Sequence, residues 1–114
     1  MKNQIFYRPT WIETDLKALR QNFKEIKRLA GKRKILAVVK ADAYGHGMVR
    51  VAEVLDRAGA DLFGVADIRE GMALRIYGIR KPILLFEHCL PDFAKQVVDL
   101  KLTPAVSNFE LASS

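Results

Sequence analysis

One lysine stands apart from the other nine in this chain. Lys40 closes the run Ile35, Leu36, Ala37, Val38, Val39, whereas the rest lie in polar or helix-surface contexts or at the chain's start. An ammonium held against apolar walls is disfavoured relative to the neutral amine, and the neutral nitrogen is a nucleophile for a carbonyl. A Schiff-base lysine requires that setting. The plainer reading is that Lys40 ends a strand and snorkels to water. Four residues on, Tyr44 can place a hydroxyl near a phosphate, and Gly45 and Gly47 let the backbone turn closely round a ligand. The plainer role for Tyr44 is a half-buried loop aromatic with a wet hydroxyl.

Two other stretches carry chemical residue types. Glu87, His88 and Cys89 are adjacent in "FEHCLP", and adjacent side chains do not easily converge on one metal, so no metal site is expected and the stretch reads as a loop after a strand. "GHGMVR", Gly45 to Arg50, follows a strand and opens a helix, with Asp67 at the end of the next strand. That is a near-match to a dinucleotide fingerprint and makes a nucleotide-binding α/β module the rival reading. It fails at the third glycine, where Arg50 is too large for close helix packing, and it leaves Lys40 unexplained.

The elements that must position Lys40 follow from periodicity. Leu16, Leu19, Phe23, Ile26 and Ala30 form one helical stripe, with Thr14 as N-cap and Gly31 as stop. Ile35 to Val39 is short, continuous and rich in β-branched residues, the pattern of a strand buried on both faces of a parallel sheet. A second helix carries Met48, Val51, Ala52, Leu55 and Ala58 inward and ends at Gly59. "DLFGVA" is the next strand, and Asp67 with Glu70 resembles a capping box opening a helix that Gly78 closes. "ILLF" after Pro82 is the third strand, followed by a helix with Pro91 in its first turn and Phe93, Ala94, Val97 and Val98 inward. "LTPAV" is the fourth, with Pro104 arguing for an edge or a bulge. Strands alternating with helices predict an α/β fold with parallel strands and right-handed crossovers. Ser107 and Glu110 form a further capping box, yet the chain stops at Ser114 after about two turns. Residues 1–114 therefore read as the front part of a longer protein.

Composition narrows the class. Half of the 114 residues are hydrophobic and 28% are charged, as in a globular protein. No apolar run approaches the roughly 20 residues of a membrane span, and "MKNQIFYRPTW" lacks a signal-peptide core, so no membrane association and a cytoplasmic location are expected. A lone cysteine, Cys89, agrees with a reducing compartment. The net charge of +6 concentrates in "KEIKRLAGKRK", Lys24 to Lys34. Without interleaved aromatics and at a helix end, where cations meet the negative end of the dipole, this is a solvated surface rather than a nucleic-acid site.

"RPTWIETDLKALRQN" at Arg8 to Asn22 and "AVVKADAYGHG" at Ala37 to Gly47 resemble the amino-terminal region of the alanine racemases, and the likeness continues through "AGADLFGVADIREGMALR" and "LTPAVSN". The related barrel decarboxylases and small pyridoxal-phosphate-binding proteins do not resemble the "KADAYGHG" continuation. The resemblance implies a TIM-type α/β barrel with parallel strands, of which residues 1–114 would be the incomplete amino-terminal part, about the first four βα units, with a second, mainly β domain that is absent here. It also implies a cytoplasmic homodimer that uses pyridoxal phosphate to interconvert L- and D-alanine for peptidoglycan precursors. It implies that Lys40 is the Schiff-base lysine and one catalytic base, and that Lys40 and Tyr44 are cofactor-binding. The opposing tyrosine and the arginine facing the pyridine nitrogen fall outside this chain, so the 114 residues alone are expected to have negligible racemase activity. A non-catalytic pyridoxal-phosphate-binding protein is the other alternative.

Overall fold

The computed structural model describes residues 9–114; the opening segment, with Arg8 and most of "MKNQIFYRPTW", lies outside the described residues. The elements in order are α1 (Leu16–Ala30), β1 (Leu36–Val38), α2 (Lys40–Tyr44), α3 (Met48–Ala58), β2 (Leu62–Val65), α4 (Ile68–Ile76) and β3 (Ile83–Leu85). A 3-10 turn (Pro91–Phe93), α5 (Ala94–Asp99), β4 (Leu102–Pro104) and α6 (Phe109–Ala112) complete them. All strand pairs are parallel and the sheet order is β1-β2-β3-β4. Strands adjacent in sequence are thus adjacent in space, the order a TIM-type barrel uses, and the expected α/β arrangement is observed over four units. Pro104 ends β4, an edge strand among the described residues, in register with Leu85.

The two faces of the sheet differ. Phe63, Val65, Ile83 and Leu85 are at most 1% exposed and form the core with Ala37, Val39, Leu74 and the inner residues of α3. The alternating positions face the other way. There Leu36, Val38 and Phe86 are each more than a third exposed, and the register aligns Val38 with Gly64 and Gly64 with Leu84. The first strand is therefore buried on one face only, a correction to the reading from its apolar run. An apolar run does not reveal which face another layer covers.

Helix α3 follows its sequence pattern, with Met48, Val51, Ala52 and Leu55 buried and Gly59 left-handed at its end. Other details depart. Asp15, not Thr14, caps α1 by accepting from Ala18 N at 3.0 Å, while Thr14 Oγ1 donates to the carbonyl of His46. Both residue types can cap, and tertiary contact takes the first away. Ile26 is 54% exposed, so the buried stripe of α1 ends at Phe23. Before α5 the chain makes a turn of the tighter 3-10 helix, which shifts the phase of a 3.6-residue stripe; Val97 is buried but Phe93 and Val98 are exposed. Asn108, not Ser107, caps α6 by accepting from Leu111 N.

At the amino ends of β3 and β4 one side chain ties the loops together. The Arg75 guanidinium donates to the carbonyls of Ile79, Lys81, Leu100 and Lys101 at 2.8–2.9 Å. Burial pushes its pKa below the usual arginine value.

Candidate functional site

The ladder runs one residue past β1, with Val39 N donating to Gly64 O at 2.8 Å. The chain then turns left-handed. Ala41, Asp42, Ala43 and Tyr44 have φ of 51°, 55°, 55° and 54°, a region that costs a non-glycine residue about 1–2 kcal/mol. Such a run persists only where the surroundings over-determine it. Here they do. Ala43 N donates to Val39 O, Gly45 N to Ala41 O and Asp42 O, His46 N to Ala43 O, and Gly47 N to Asp42 O. His46 Nδ1 also donates to Ala43 O at 2.9 Å, and Thr14, just ahead of α1, donates to the His46 carbonyl. Gly45 and Gly47, at φ 89° and 92°, complete the turn that the sequence expects of them.

Two carboxylates lock this turn to its neighbours. Asp42 Oδ1 accepts from Met48 N at 2.8 Å, capping α3. Glu70 accepts from Asp42 N through one oxygen and from Ala66 N, at 2.7 Å, through the other. Glu70 is the acid of the expected capping box. Asp67 caps α4 as anticipated, accepting from Glu70 N, but the reciprocal bond reaches Ala66 rather than Asp67. Burial acts to raise the Asp67 pKa and is outweighed by bonds from Arg69 and the backbone, which hold it below the usual aspartate value.

Lys40 lies at the carboxyl end of β1, half-buried. Its Nζ is 5.4 Å from the centroid of the Phe86 ring. That ring occupies the open face beside Gly64. Tyr44 is at the other end of the same turn, 62% exposed. Both sequence-predicted site residues thus lie on the turn that follows β1. The sequence reading missed Glu70, which carries a capping signature but no sign of its reach to Asp42, and Phe86, whose place depends on strand order.

The amides of the turn bear on the rival reading. A nucleotide-binding glycine loop offers free N–H groups to phosphate. In this chain Gly45, His46 and Gly47 donate internally, and the first N–H of α3 is taken by the Asp42 carboxylate. Those amides are therefore not free for a phosphate, as a nucleotide-binding glycine loop would need. At the neighbouring end of β3, a groove of about 260 Å³ lies between Asp67, Leu85, Cys89 and Phe93 and does not include Lys40 or Tyr44. There Cys89 is buried with its thiol on the Leu90 carbonyl, and the His88 ring is 3.0 Å from Ser107 Oγ, so Glu87, His88 and Cys89 do not converge.

A parallel α/β sheet in barrel order, with its distinctive lysine at the carboxyl mouth of the first strand, defines the class. The chain belongs to the family described as alanine racemase, N-terminal domain, whose profile matches residues 14–114. It is 46% identical over 106 residues to alanine racemase 1 of Caldanaerobacter subterraneus subsp. tengcongensis, covering 92% of this chain and 27% of that protein. Among solved structures it resembles the Clostridium difficile 630 alanine racemase in complex with cycloserine, at TM-score 0.89 and 39% identity over 96% of this chain and 30% of that one. It likewise resembles the Bacillus anthracis alanine racemase with bound L-Ala-P, at TM-score 0.89 and 36% identity over 96% of this chain and 29% of that one. The chain thus spans less than a third of the length of each of these relatives. Among the described residues, no helix is long and apolar enough to cross a membrane.

Proposed function

We propose that this chain supplies the lysine-bearing part of a pyridoxal-phosphate-dependent amino-acid racemase acting on alanine. The observation that carries the reading is the placement of Lys40 at the strand mouth by a rigid left-handed turn, in a chain of the alanine racemase family. The residues present fit the cofactor. Lys40 Nζ, half-buried on the open face, would hold it covalently, and the Tyr44 hydroxyl, exposed at the end of the same turn, would donate to its phosphate. When bound, pyridoxal phosphate supplies an electron sink for the Cα carbanion of an amino acid. Lys40, with its amine free, takes or returns the Cα proton on one face. The four-residue turn keeps its Cα from drifting, which preserves the alignment that proton transfer needs. A cytoplasmic homodimer and a second base on the opposite face belong to the same reading.

Incubation with pyridoxal phosphate, borohydride reduction and peptide mapping tests it. The expected result is label fixed on Lys40 and lost in K40A; label spread evenly over surface lysines would sink the reading. D-alanine formation by the 114-residue chain is expected to be negligible, and a comparison of alanine with serine as substrate, in whatever assembly is active, decides the specificity.

A further inference from the structure

We propose that Phe86 is a positioning residue for Lys40, its ring seated in the space left by the missing side chain of Gly64 and forming the surface on which the amine is held. The turn fixes the Lys40 backbone, but the nitrogen lies at the end of a flexible four-carbon stem. Among the described residues no ion pair holds it, and the ring face is its recorded contact. At 5.4 Å from the centroid, Nζ is within the range over which an aromatic face attracts a cation.

Gly64 explains why the ring can be there. It lies inside β2 without a left-handed φ, so its backbone does not call for glycine, and glycine weakens a strand. Space does call for it. A Cβ at position 64 would come 2.5 Å from Cε2 and 3.0 Å from Cζ of Phe86, closer than packed atoms tolerate. The Phe86 backbone is pinned beside β2 by its N–H to Val65 O at 2.9 Å, so the ring has a fixed root as well as a seat. The consequence for the reaction rests on the function proposed above, whereas the contact itself does not.

The test uses the protein with ¹³Cε-lysine, the Lys40 resonance assigned by its loss in K40R, before any cofactor is added. Lys40 is expected to show an upfield ring-current displacement that F86L abolishes and F86Y retains. G64A should abolish it too, because the added methyl evicts the ring, and the F86L/G64A double variant, relieved of the clash, should fold without it. A Lys40 resonance that is the same in F86L or G64A as in the parent overturns the proposal. Borohydride labelling then separates the two ideas. Label at Lys40 without the displacement overturns the ring platform and leaves the function standing; the displacement without label does the reverse.

Discussion

At the amino ends of the strands a cation gathers carbonyls, and at the carboxyl ends anions gather amides. Arg75 does the first, bridging the loops before β3 and β4. Asp42, Glu70 and Asp67 do the second, accepting N–H groups that lead into α2, α3 and α4. The division follows from the polarity of a βα unit, in which helices begin at the carboxyl end of the sheet with unpaired N–H groups and finish at the other with unpaired C=O groups. The ends differ in what they secure. The Arg75 end staples relaxed loops apart from Lys101, at φ 52°, whereas the carboxylate end holds four successive strained residues beside Lys40. Strain is kept at the mouth that carries the candidate chemistry, and the opposite end provides stability.

The largest effect should come from R75A. Four carbonyls lose a charged donor, and urea unfolding should show a loss of about 2–4 kcal/mol, with amide exchange across α2 little changed. Equal acceleration of exchange in α2 would mean that the two ends are not separately held. Next in size is E70Q, which keeps one acceptor oxygen and loses the other. A stability loss of about 1–2 kcal/mol is expected, with faster exchange at the amides of Asp42 or Ala66 and none at the Arg75 loops.

A smaller change of opposite sign should follow from A41G. In a right-handed helix Ala→Gly costs about 0.5–1 kcal/mol, but here it releases a positive φ and should raise stability by up to about 1 kcal/mol. A41V should lower it, and an A41G protein that melts earlier than its parent would contradict the left-handed turn. The smallest effect concerns acid. Asp67 is held below the ordinary aspartate value near 3.8, so its contribution is present above that pH and is lost as the pH falls through its folded value. D67N should therefore flatten the acid limb of a melting-temperature profile and leave the Arg75 end, which does not titrate there, unchanged.

Much of this was legible in the chain. The apolar spacing of α3, the glycine after it and the short apolar runs of the strands carry local signals, and strand following helix leaves few topologies. Lys40 was visible because an ammonium after five apolar residues conflicts with its surroundings. Less legible were the cap positions, since Thr14 and Asp15, or Ser107 and Asn108, are all capable and the choice rests on what else each can reach. The 3-10 turn at Pro91 defeated the expected stripe of α5 because one change of pitch rephases every later residue.

The sequence by itself determined the order of the elements, the family likeness and the identity of the two candidate cofactor residues, all of which are matters of short-range pattern. Only the tertiary structure decided the handedness of the turn after Lys40, the reach of Glu70 to Asp42 and the seat of Phe86 on Gly64. Each of these joins residues about twenty or more positions apart, or holds a backbone that local preference opposes. No periodicity in the chain encodes such contacts, because their energy appears only when neighbouring strands and helices are already in place.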